Sequence, residues 1–180
     1  PGFSKLISGH DDRFSWAILK GHTRNRAGTV RLASADPLDM PLVNFRHFEE
    51  GSPGGEEDLQ AMLEAIRAVR GLTAPLIESG WIAEELQPGA ALQSDAQLAQ
   101  FVRDTAWGHH ASCSCPIGAR DQGGVLDSLL TVHGVAGLRV VDASAFPKIP
   151  GFFVAAAIFM LAEKAADMVL AAARRAPIGL

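Results

Sequence analysis

Apolar and polar positions alternate or recur along the chain in ways that predict both strands and helices. Residues 14–20 (FSWAILK) and 28–33 (GTVRLA) have strand-like content, and the polar run 22–27 between them fits a turn, so an antiparallel pair is expected. Val30 and Leu32 alternate with Thr29 and Arg31, which predicts one buried and one wet face on the second strand. Pro37 and Pro41 then interrupt the pattern, Pro37 fixing its own φ and pushing Asp36 away from helical backbone. A short extended stretch is expected at 42–45, followed by a glycine-rich linker at 51–55.

Beyond the linker the period lengthens to that of a helix. Leu59, Met62, Leu63, Ile66 and Val69 fall on one helical stripe, and Glu56, Glu57 and Asp58 near its start suit the positive end of the helix dipole. That stripe is core packing, and no chemistry is assigned to it. Ser94 is placed to cap a second helix running to about Asp104, with Leu98, Phe101 and Val102 inward. Residues 138–141 (LRVV) have the apolar content of a short buried strand, and 155–173 that of a long, alanine-rich helix. Strands first and separate helices later indicate an α+β fold rather than an alternating parallel sheet.

Composition narrows the classes of function. With 180 residues, 48% hydrophobic and 20% charged, the chain has enough material for one packed core. A formal net charge of -4 at pH 7, without clustered Lys and Arg, argues against a nucleic-acid surface. The longest apolar stretch, 152–161, falls short of the roughly 20 residues that span a bilayer, and Glu163 and Lys164 close it. A start at Pro1 rather than Met predicts a fragment of a longer protein. Cys113 and Cys115, one residue apart, would share a strand face but rarely form an unstrained disulfide; free thiols fit a reducing cytoplasm. No Gly-x-Gly-x-x-Gly follows a strand, so the chain has no dinucleotide-binding unit of its own.

Reactive residues concentrate in two places. Trp107, His109, His110, Cys113 and Cys115 lie within nine positions. Imidazole and thiolate together are ligands for zinc or copper, but structural zinc sites join two spaced ligand pairs through a longer loop, and here every candidate crowds one segment, so no metal is expected. The other readings are a histidine acid or base, suited to neutral pH by an unperturbed imidazole pKa of about 6.5, and a histidine hydrogen-bonded for structure. Spacing leaves both open. His10, His22, His47 and His133 stand alone and are taken as surface or structural residues. The second concentration is 138–164, where a strand ends in Asp142, a proline-containing bend follows and a helix starts. Unpaired N–H groups at a helix start suit a phosphate or a ring carbonyl, and a strand-end carboxylate suits a ribityl or ribose hydroxyl. Equally, Asp142 with Ser144 could do no more than cap the bend.

Taken in order, GTVRLASADPLDMP at 28–41, GGVLDSLLTVHGVAGLRVVDASAFPKIPG at 123–151 and AEKAADMV at 162–169 resemble the carboxy-terminal region of the glucose–methanol–choline oxidoreductases, the family of FAD-dependent alcohol, sugar and choline oxidases and dehydrogenases. The resemblance implies an antiparallel sheet covered by helices, with 1–137 as part of a substrate-binding domain. It assigns 138–180, a strand and a helix, to an FAD-binding domain otherwise supplied by sequence absent here, so the isolated chain would be inactive. It also implies that Asp142 and Ala143 approach the ribityl and pyrophosphate part of FAD, and that Phe153, Val154 and Ala155 approach the flavin ring. Counted back from Cys115, the family's catalytic base falls on His110. That base accepts the proton of an alcohol as hydride leaves carbon for the flavin, which takes the two electrons no side chain can hold. Trp107, His109 and Phe153 would shape the pocket for a small-molecule alcohol. The chain departs from the family pattern twice. Ala111, Ser112, Cys113 and Ser114 replace a proline and a Gly-Thr pair, and Phe153 stands where a second polar residue, His or Asn, is usual; a phenyl ring neither accepts a proton nor donates to an alkoxide.

Overall fold

The computed structural model describes residues 8–48, 54–108, 110–151 and 153–175. Its elements, in chain order, are β1 (Thr29–Arg31), β2 (Leu42–Asn44), α1 (Gly54–Glu78), α2 (Asp95–Thr105) and α3 (Ala155–Arg175), with short 3-10 turns at Arg120–Gln122 and Ala143–Ala145. This is an α+β chain in two compact units, Pro1–Trp107 and Gly108–Leu180.

The first unit is held by the helix pair. Leu59, Leu63 and Ile66 recur along α1 every three or four residues, bury themselves, and meet Leu98, Ala99 and Val102 of α2. Each large side chain so buried is worth about 1.5–3 kcal/mol relative to exposure. Glu56 and Glu57 occupy the first turn of α1, as the dipole favours. Its end is closed by Gly80, whose φ of +77° a side chain would strain and whose N–H donates to the Ile77 carbonyl. Ser94 starts α2 with a capping box: its hydroxyl accepts from Gln97 N–H at 3.3 Å, and Gln97 Oε1 accepts from Ser94 N–H at 3.0 Å. Arg67 pairs with Asp95 between the helices, and the Arg70 guanidinium forks onto Glu85 at 3.0 and 3.1 Å while donating to the Leu92 and Gly89 carbonyls.

Asp58 is the surprise of this unit. Its side chain is 2% exposed, and its two oxygens accept from the backbone N–H groups of Arg24 (2.8 and 3.0 Å) and Asn25 (2.9 Å), with Lys20 Nζ at 3.5 Å. The acid that a helix start would favour on electrostatic grounds alone is a clamp on a loop 34 residues earlier in sequence.

The strands differ from the sequence expectation. Residues 14–20 form no strand, although Ile18 packs against the helix core. β1 pairs instead with β2, antiparallel, Val30 opposite Val43. Pairing is chosen by tertiary context, and the 42–45 stretch offers an equally extended partner across the proline-shaped loop. Neither Val30 nor Leu32 is buried, at 63% and 84% exposed, because among the described residues no layer covers this two-stranded ribbon.

In the second unit α3 turns Ala165, with Leu161 and Met168 beside it, toward Leu126, Leu130 and Ala145. The expected strand at 138–141 is absent: only an isolated bridge between Arg139 and Thr131 forms, and Leu138 and Val141 stay exposed. Val140 N–H donates to the Leu130 carbonyl at 3.2 Å and Val132 N–H to that of Leu138 at 2.9 Å, one bridge that the turns on either side do not extend into a ladder. Glycine is required at 124, since a Cβ there would lie 2.1 Å from the Gly118 carbonyl oxygen.

Candidate functional site

The two reactive stretches of the sequence are joined in the second unit by main-chain hydrogen bonds. Cys113 N–H donates to the Ala143 carbonyl at 3.1 Å, Cys115 N–H to that of Ser144 at 2.9 Å, and Ile117 N–H to that of Ala145 at 2.9 Å. The donors are alternate residues, each paired with the next successive carbonyl of the turn. The chain just after His110 therefore runs along the 3-10 turn that begins at Asp142, and Ala145 seats that turn in the core, fully buried. His110 itself is half-buried, three residues before the first rung.

Asp142 caps the turn. Its Oδ1 accepts from both the N–H (2.8 Å) and the hydroxyl of Ser144, the capping role that spacing left open. Among the described residues no hydrogen bond reaches Oδ2, so the exposed carboxylate keeps an oxygen for a ligand hydroxyl. The Ala143 carbonyl is engaged by Cys113, and the residue is half-buried. Val154 is buried and its carbonyl accepts from Ile158 N–H at 3.0 Å, while Ala155 opens α3, whose first amides have no partner within the helix. Phe153 is 73% exposed at a φ of +53°, an uncommon conformation for a bulky residue. Trp107 is also exposed but belongs to the first unit, and His109 lies outside the described residues.

Strain gathers in the same stretches. Among the described residues four non-glycine residues have positive φ, and two of them, Cys113 (+68°) and Phe153 (+53°), sit in the segments that sequence singled out. A third, Leu130 (+62°), is stabilised by a turn that sequence reading missed. Asp127 accepts from Leu129 N–H at 2.8 Å and Thr131 N–H at 2.9 Å. The bond from Thr131 holds its carboxyl below the ordinary value of 3.8; desolvation opposes it, and the bond from Leu129 with the His133 and Arg139 charges adds to the lowering. The Asp-Ser motif at 127–128 was the available signal, since both residue types favour such turns. His133 is structural, its Nε2 donating to the Gly118 carbonyl at 2.9 Å.

Among the described residues no group of three or more His, Cys, Asp or Glu could hold a metal, and no helix is long and apolar enough to cross a membrane. Cys113 and Cys115 are free thiols.

Residues 23–162 match the sequence profile of the GMC oxidoreductases. The chain is 39% identical over 145 residues to an oxygen-dependent choline dehydrogenase of Vibrio vulnificus (strain YJ016), covering 79% of this chain and 25% of that protein. In structure it is similar to a fungal aryl-alcohol oxidase, with a TM-score of 0.62 and 35% identity over 79% of this chain and 23% of the other. An FAD-dependent oxidoreductase from Chaetomium thermophilum gives a TM-score of 0.67 at 29% identity, over 83% of this chain and 25% of that one. The chain thus spans about a quarter of the length of the proteins it matches. On profile, sequence and fold together, it belongs to the glucose–methanol–choline oxidoreductases and carries part of their carboxy-terminal region.

Proposed function

We propose that this chain is the substrate-binding and active-site part of an FAD-dependent enzyme that oxidises a CH–OH group, with His110 as the general base. The observation that carries the reading is the three-rung ladder tying the segment after His110 to the Asp142 turn. A base and a cofactor-facing turn must keep a fixed relation, and main-chain bonds anchored in a core provide one. The residues present fit part of a flavin nucleotide. Asp142 Oδ2 would accept from a ribityl or ribose hydroxyl beside Ala143, and the first-turn amides from Ala155 would donate to an electron-rich ring carbonyl, with Phe153 and Val154 leading in. Bound FAD would supply the acceptor for the hydride that leaves the substrate carbon. His110 would take the hydroxyl proton, making that departure easier. Phe153 would line an alcohol pocket; the pocket roles of Trp107 and His109 rest on the resemblance alone.

Most of the FAD site would come from the rest of the same polypeptide, with 1–137 serving the substrate and 138–180 returning to the cofactor-binding part. The exposure of Phe159 and Met160 on α3, and of both apolar strands of the ribbon, supports this, since such surfaces need a cover. By itself the chain would then bind no flavin and turn over no alcohol. A cytoplasmic setting suits the free thiols.

The test is to load the protein, expressed with its upstream sequence, with flavin and follow bleaching by a panel of alcohols. His110→Ala should slow flavin reduction about 10²–10⁴-fold with substrate binding little changed; an unaltered rate would remove His110 from the chemistry. Exposed, strained Phe153 favours one other reading, a diverged binding module without turnover, which a flavin-loaded protein that no alcohol reduces would establish.

A further inference from the structure

Cys113 occupies left-handed backbone, with a φ of +68°, although it carries a side chain that disfavours it. Something must hold it there. The thiol is not the cause, because its hydrogen bond runs to its own neighbour, the Ser112 hydroxyl, at a weak 3.4 Å. The backbone is held better: Cys113 N–H is the first rung on the 143–145 turn, and the two rungs that follow end at fully buried Ala145. With the ladder fixed on one side, the torsions of Cys113 set the direction in which 110–112 leave it on the other.

We propose that Cys113 is a positioning residue for His110, acting through its left-handed backbone rather than its sulfur. The claim rests on the reading of His110 as the base. A φ in the extended region would preserve the rungs at Cys115 and Ile117 but change the direction in which 110–112, and with them His110, leave the ladder.

The experiment uses the flavin-loaded protein expressed with its upstream sequence and compares Cys113→Gly, Cys113→Ala and Cys113→Val. Glycine adopts positive φ freely, whereas β-branched valine resists it. Cys113→Gly should keep the rate of flavin reduction within about threefold and raise the melting temperature. Cys113→Val, with flavin content and alcohol affinity retained, should slow reduction about tenfold or more and displace its pH profile. In the flavin-free protein, the His110 ring signals and their pH titration, followed by NMR, should move with Cys113→Val and stay with Cys113→Gly. If valine leaves rate, pH profile and ring signals unchanged, or if glycine loses as much as valine, the proposal is overturned. Should valine prevent folding, alanine decides: it keeps the Cβ and removes the sulfur, so a wild-type rate at equal flavin content supports the proposal, and a loss of about tenfold assigns the effect to the sulfur and overturns it. His110→Ala measured alongside separates the two claims. Wild-type reduction in that variant sinks the base, while a slow His110→Ala beside an unaffected Cys113→Val sinks only the positioning role.

Discussion

The two units of this chain are stabilised by different means. From Pro1 to Trp107 order comes from side chains: two amphipathic helices bury a leucine-rich seam, a capping box and a C-terminal glycine close their ends, and one buried carboxylate collects a loop. Among the described residues from Gly108 onward only α3 is a long regular element, and the rest is turns, isolated bridges and main-chain bonds around a few small and branched residues. Of the four left-handed non-glycine residues among those described, three lie in this second unit. Regular packing tolerates little strain, whereas an irregular mesh fixed at many backbone points can hold a few residues in costly conformations, and that is where the candidate chemistry sits.

That contrast can be broken by substitution. The largest effect is expected at Asp58: replacing it with Ala leaves the Arg24 and Asn25 amides without their acceptor and should cost about 3 kcal/mol, read as a lower urea midpoint, with amide exchange rising first at 20–27 and the start of α1. A loss under about 1 kcal/mol would mean that water replaces the carboxylate and that this loop does not depend on the clamp. Gly124→Ala attacks the mesh, where the added methyl meets the Gly118 backbone; about 2 kcal/mol should be lost, with exchange protection falling at the rungs of Cys115 and Ile117. If protection there is untouched, the ladder does not depend on that close approach.

The smallest effect is a change of slope. Asp127 has a depressed folded pKa, so the stability it contributes is present above its unfolded value of about 3.9 and is lost as pH falls through the folded one. Comparing unfolding midpoints at pH 6 and pH 3, Asp127→Asn should narrow the difference seen in the wild-type chain. An equal difference in both proteins would show that the turn at 127–131 is held without the charge.

How much of this was visible in sequence follows the same division. Helices α1, α2 and α3 were legible because their signals are local: a stripe of period 3.6, acids at a start, Ser94 with Gln97 three residues on. Strand pairing was not, since both 14–20 and 42–45 are apolar enough to partner β1 and only distant contacts choose between them. The alternation at Val30 and Leu32 defines a face but does not say what covers it. Asp58 could be read only as an acid at a helix start, its grip on residues 24 and 25 being non-local. At the candidate site, the proposal of His110 as base came from the resemblance alone, and torsions such as those of Cys113 and Phe153 leave no trace in composition.

The ladder beside His110 consists wholly of main-chain atoms. Side chains along 114–117 can therefore be exchanged without altering the hydrogen bonds that align the segment, whereas at 113 the choice of residue bears on the backbone itself. A frame of that kind tolerates change in what it displays while keeping its own course.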